Sequence, residues 1–107
     1  MKLTSIASGS SGNCIFVGSE NCSLLVDAGI SAKRIEQGLK ELQVNPADLS
    51  GILITHEHID HIGGLGVLMR RYKLPVFATV GTIDTMRQSG KLGEVDNLLL
   101  SLLAFVD

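Results

Sequence analysis

The sequence predicts a layered α/β fold, and three observations carry that reading. Short runs of Ile, Val, Leu and Phe recur in the first thirty residues with Ser, Gly and Asn between them, which is the pattern of strands joined by turns. From residue 31 onward, strand-like runs alternate with segments of helical periodicity, which is the pattern of a sheet with helices packed on it. The strands Cys14-Ile15-Phe16-Val17, Leu24-Leu25-Val26 and Ile52-Leu53-Ile54 are continuously apolar rather than alternating, so both faces of the sheet are expected to be buried.

Leu3 to Ala7 reads as the first strand, followed by a small polar loop, Ser8-Gly9-Ser10-Ser11-Gly12-Asn13. Cys14 to Val17 and Ser23 to Val26 read as a hairpin, with Gly18 to Asn21 supplying turn composition. With the hairpin centred on Ser19-Glu20, Cys14 falls opposite Leu25 rather than Cys22. The two cysteines are therefore read as buried, reduced thiols, with a metal role only as a weaker alternative. Asp27-Ala28-Gly29 closes the third strand. Ser31 is placed to cap a helix running to about Leu42, in which Ile35, Leu39 and Leu42 share one face. Asn45 to Asp48 is a loop. Gly51 to Thr55 reads as a buried strand, Ile62 to Tyr72 as a helix, Pro75 to Ala78 as a strand, and Thr82 to Gln88 as a helix stopped by Gly90. Past Glu94 the composition becomes a leucine run with no assignable element.

At 107 residues the chain is one domain or part of one. It is 45% hydrophobic, with a mean hydropathy of +0.32, rich for a free-standing soluble domain. The net charge of −2 provides no global attraction for nucleic acid. Lys33-Arg34 and Arg70-Arg71-Lys73 are read as solvated helix faces. Met1-Lys2-Leu3-Thr4 does not begin a signal peptide, and the apolar run from Leu98 to Val106 is too short to span a bilayer. A cytoplasmic protein with no membrane partner is expected.

All three histidines fall within six residues, His56-Glu57-His58-Ile59-Asp60-His61, directly after the Gly51–Thr55 strand. In extended backbone, side chains two apart project to the same side, so His56 and His58 can grip one ion from one direction. Asp60 and His61 follow where the chain must bend toward Gly63-Gly64, and can hold a second. Imidazole with carboxylate suits zinc, iron or manganese. Glu57 reads as exposed filler between ligands, and Gly63 and Gly64 as residues that let the next helix start approach closely.

Thr55 to Gly64 resembles the signature of the metallo-β-lactamase superfamily, and Asp27 in Leu25-Val26-Asp27-Ala28-Gly29 resembles its first motif. Ser8 to Cys14 together with Asp27-Ala28-Gly29-Ile30-Ser31 is similar to the WalJ/YycJ (VicX-like) branch, a group regarded as nucleases. The resemblance runs from Met1 to roughly Asp96 and covers the first half of an αββα sandwich of two similar halves. It implies that His56 and His58 bind a first metal ion and that Asp60 and His61 bind a second, with Asp60 also orienting the attacking water. It implies that Asp27 fixes the metal loop by hydrogen bonds, and that the Ser/Gly loop lies beside the site, where Ser10, Ser11 and Asn13 can meet substrate.

The resemblance has a gap. Members of the family supply a third histidine, a bridging aspartate and a last histidine from their second half. This chain has no histidine after His61, and Asp84, Asp96 and Asp107 sit in no matching context. The expectation is a dinuclear metallo-phosphodiesterase acting on nucleic acid, with the 107 residues by themselves holding one ion weakly and having little or no activity. Thioesterase or lactonase chemistry on the same motif is an alternative. So is a non-catalytic metal-binding module that self-associates through an exposed sheet face.

Overall fold

A computed structural model describes residues 2–8, 12–55, 62–89 and 100–102. Its centre is a six-stranded sheet whose strands lie in sequence order: β1 (Lys2–Ala7), β2 (Cys14–Gly18), β3 (Ser23–Val26), β4 (Gly51–Leu53), β5 (Val76–Ala78) and β6 (Leu100–Leu102). β1, β2 and β3 form an antiparallel meander, and β3 through β6 run parallel. Helices α1 (Ala32–Glu41), α2 (Ile62–Tyr72) and α3 (Val80–Ser89) make the connections between the parallel strands from β3 to β6.

The hairpin differs from its sequence reading in one detail. Ser19 N–H donates to the Cys22 carbonyl at 2.8 Å, so the turn is centred on Glu20-Asn21, and Phe16 pairs with Leu25. The register is displaced by two residues, which leaves every side chain on the face it was expected to occupy. Cys14 still does not face Cys22, and both thiols are free; Cys14 is buried as expected, but Cys22, beside the turn, is exposed.

α1 forms because its apolar positions recur on one stripe: Ala32, Ile35 and Leu39 are buried, while Lys33, Arg34, Gln37, Lys40 and Glu41 are exposed. Ser31 caps it, its hydroxyl accepting the Arg34 N–H at 3.3 Å. At the other end Gln43 takes a left-handed φ of 61°; its N–H returns to the Lys40 carbonyl and that of Val44 to Leu39. This is the Schellman pattern, here without glycine. α2 has the predicted bounds. α3 starts two residues earlier than predicted, because Thr79 serves as its cap: the Thr79 side chain accepts the Thr82 N–H at 3.4 Å and its carbonyl the Ile83 N–H at 3.0 Å. β6 lies in the leucine run that had no assignment, pairing Val76 with Leu100 and Ala78 with Leu102.

The core lies between one face of the sheet and the helices. Phe16, Leu25, Ile52 and Val76 from the strands are buried with Ile35 and Leu39 of α1, Leu65, Leu68 and Met69 of α2, and Ile83 and Met86 of α3. The opposite face is different. Ile15, Val17, Leu24, Val26, Leu53 and Phe77 point there and are only half-buried. The continuous apolar runs call for cover on both faces in a complete sandwich, and the face expected to stay bare in a first half is the one away from the three helices.

Among the described residues no helix is long and apolar enough to cross a membrane.

Candidate metal centre

Because β2 runs against β3 while β3, β4 and β5 run together, one edge of the sheet gathers the start of β2 and the ends of the other three. Asn13, Asp27, Thr55 and Thr79 all stand at that edge. In open α/β sheets, ligands bind outside the carboxyl ends of parallel strands, where side chains converge without interrupting the ladder.

Asp27 has a left-handed φ of 61°, which an aspartate tolerates better than most residues. Its N–H still continues the sheet, donating to the Leu53 carbonyl at 2.7 Å. In a regular parallel ladder the next bond would run from Thr55 N–H to the Asp27 carbonyl. Here the carboxylate takes that place. Oδ1 accepts the Thr55 N–H at 2.8 Å, and Oδ2 accepts the Thr55 hydroxyl at 2.6 Å. Both bonds are charge-assisted, the stronger class. The residue directly before His56 is thus held at two atoms.

The loop that begins at Asp27 also meets the start of α2. Gly64 sits so close to it that a Cβ would come within 2.8 Å of the Ile30 carbonyl oxygen and 2.9 Å of the Ala32 nitrogen. The expected close approach of the helix start is therefore present at Gly64, and its target is the 30–32 backbone. One loop, residues 27–32, contacts the chain on both sides of the segment 56–61. On its other flank, Gly29 N–H donates to the Asn13 carbonyl at 3.0 Å, which brings the end of the Ser/Gly loop beside Asp27.

His56, His58, Asp60 and His61 lie outside the described residues, as do Ser10 and Ser11. Asn13 is described and exposed at the rim. Among the described residues no group of three His, Cys, Asp or Glu side chains is placed to hold a metal ion. The donor set of 56–61, three imidazoles and a carboxylate following directly on Thr55, has the chemistry of a zinc, manganese or iron site. Cys14, also at this edge, is fully buried; burial first, and the charge of Asp27 second, push its thiol up to about 12. Thr55 is the residue that sequence reading left without a role; its position at the end of a strand, one residue before the first histidine, was the available signal.

The chain belongs to the metallo-beta-lactamase superfamily, whose family model matches residues 7–99. Within it, the chain is similar to an exodeoxyribonuclease YycJ of Bacillus anthracis, 54% identical over 81 residues that cover 76% of this chain and 31% of that protein. It is similar also to the exodeoxyribonuclease WalJ of Streptococcus pneumoniae serotype 2, 48% identical over 96 residues, 90% of this chain and 36% of that protein. Among solved structures it resembles Rm3 metallo-beta-lactamase, with a TM-score of 0.62 and 33% identity, over 73% of this chain and 29% of that one. The chain thus spans about a third of the length of these relatives.

Proposed function

We propose that this chain carries the first metal-binding segment of a hydrolase that cleaves phosphodiester bonds in DNA. The observation that supports it most is the pinned exit of β4. A six-residue segment with three histidines and an aspartate follows a strand end fixed by Asp27, in a chain 48–54% identical to proteins named exodeoxyribonucleases.

In this reading His56 and His58 hold one divalent ion, and Asp60 and His61 a second. When bound, such ions supply Lewis acidity that activates water near neutral pH and offsets charge on a phosphate in displacement. Asp60 accepts a hydrogen bond from the attacking water and orients it. Asp27 keeps the segment in register through Thr55, and Ser10, Ser11 and Asn13 edge the cleft where a phosphate would lie. The exposed rim at Asn13 and Thr55 leaves room for a polymer to approach. Zinc, manganese and iron all fit the donors.

The test is metal content after desalting, followed by a nuclease assay. The 107-residue chain should retain a divalent ion weakly, and His58→Ala should lose most of it. Equal metal in the two would overturn the ligand assignment. On single-stranded and duplex DNA with manganese or zinc, the chain should show very low turnover, because ligands beyond His61 are lacking. Robust turnover that disappears in Asp60→Ala would show that the 107 residues suffice.

A further inference from the structure

Charge is unevenly spread over this chain. Six of its nine cations, Lys33, Arg34, Lys40, Arg70, Arg71 and Lys73, fall on α1, on α2 or directly after it, against two acids, Glu36 and Glu41. That region is strongly positive in a chain whose net charge is −2. The two basic runs lie far apart in sequence, and each by itself reads as a solvated helix face. The fold sets them side by side. At one end Gly64 of α2 seats on the backbone of Ile30 and Ala32, and at the other Arg71 and the Tyr72 hydroxyl bond to Glu36. Glu36 thus marks the flank of α1 that faces α2. Lys33 and Lys40 stand three and four residues from it, on that same flank, and Lys40 lines one groove with Tyr72. Arg71 engages the acid of this row. Among the described residues, Lys33, Arg34, Lys40 and Lys73 are exposed and form no ion pair.

Helix stability accounts for only part of this pattern. Lys40, Arg70 and Arg71 stand in last turns, where the helix dipole favours cations. Lys33 and Arg34 stand in the first turn of α1, where the dipole opposes them and where no acid is present. α1 begins directly after the loop that leaves Asp27, so these two cations lie at the end of the helix layer next to the sheet edge bearing Asp27 and Thr55. α3 does not extend the positive surface, since its exposed Asp84 and Arg87 balance.

We infer that the flank shared by α1 and α2 is a second contact surface for the DNA strand, on which Lys33 and Lys40, with Lys73 beyond them, bind phosphates of the stretch that lies outside the Asp27–Thr55 edge. Seven residues separate the two lysines, about 10 Å along the helix axis. At about 3.4 Å per nucleotide of one strand, that span matches about three phosphates. Ammonium groups meet phosphate as point charges and read no bases, so the surface suits a strand of any sequence. This inference rests on the DNA reading above and names where the strand is held away from the metal ions.

The probe is a fluorescein-labelled single-stranded oligothymidylate. Its anisotropy is followed with the 107-residue chain in the presence of chelator, so that no metal-held phosphate contributes. Wild type should bind, with affinity falling as salt rises. Lys33→Glu with Lys40→Glu should weaken binding about tenfold or more at about 50 mM salt and reduce the salt slope by about one to two. Lys2→Glu with Arg87→Glu makes the same change in net charge at exposed positions off the flank, and should stay within about threefold of wild type. Far-UV circular dichroism checks the fold of each variant. If the reversed pair does not fold, Lys33→Gln with Lys40→Gln serves instead, with a smaller loss in the same direction. Wild-type affinity in the flank variants would overturn the inference. An equal loss in the Lys2 and Arg87 variant would also overturn it, since net charge alone would then explain the effect. So would a wild-type chain that does not bind the oligonucleotide at low salt. The metal reading is judged separately, by the metal content of His58→Ala, and none of these outcomes alters it.

Discussion

Phe77 lies across Gly51 on the neighbouring strand, so closely that a Cβ on the glycine would meet ring carbon Cε2 at 2.8 Å and the Pro75 carbonyl oxygen at 3.1 Å. The two residues face the side of the sheet away from the helices. Gly51 begins β4, which leads to the histidine segment, so its packing bears on the site as well as on stability. Gly51→Ala should cost about 1–3 kcal/mol, the usual range for overpacking. Urea denaturation measures it, and the cost should shrink in a Phe77→Leu background. An unchanged cost there would mean that Pro75, and not the ring, sets the penalty.

The same face sets the solution behaviour of the 107-residue chain. Leu3, 73% exposed, pairs with Val17, and Val17 with Leu24; Ile15, Val26, Leu53 and Phe77 form a second row beside them. Contiguous apolar patches of more than a few hundred Å² mark interfaces or drive aggregation. At about 25 cal/mol per Å², covering one contributes several kcal/mol, comparable to the whole stability of a small domain. The chain should self-associate face to face. Sedimentation velocity over a dilution series should show it, and Leu24→Lys should shift the species toward monomer with unchanged far-UV circular dichroism. A compact wild-type monomer at high concentration that binds no hydrophobic dye would be the contrary result.

Cys14 should make stability fall in alkali. Its folded pKa of about 12 exceeds the ordinary 9.0, so the folded thiol keeps its proton where the unfolded one loses it. The contribution is complete below pH 9 and declines as pH rises from there, by at most about 1.4 kcal/mol per pH unit. Cys14→Ala should flatten that slope. In the native chain a thiol reagent should label Cys22, which is exposed, and reach Cys14 only on unfolding.

The link between α1 and α2 should weaken in acid. Arg71 Nη1 donates to both oxygens of Glu36, at 2.7 and 2.9 Å, and the Tyr72 hydroxyl donates to Glu36 as well. The Tyr72 hydrogen bond, more than Arg71, holds the Glu36 carboxyl below its usual value. A depressed folded pKa means stability that is present above the unfolded value of 4.5 and is lost as pH falls through the folded one. Arg71 is 54% exposed and Glu36 25%, so solvent screening keeps the contribution of the pair small. Glu36→Gln should lower stability slightly at pH 7 and remove that share of the acid dependence below pH 4.5, read from denaturant midpoints across pH.

The sequence alone determined the elements and their chemistry. Ser31 and the Ile35–Leu39 spacing specify α1, the β-branched and aromatic runs specify β2, β3 and β4, and six residues name a metal chemistry, because these signals are local. It missed Thr79 as the cap of α3, since a threonine after a strand reads equally well as its last residue. It also missed β6, whose leucines become a strand only by pairing with β5. Tertiary structure decided the rest. That Asp27 reaches Thr55, 28 positions away, follows from β3 and β4 lying side by side and from a left-handed turn that substitutes a carboxylate for a carbonyl. That continuous apolar strands are covered on one face only follows from all three helices packing on the same side, which no residue pattern within a strand can state.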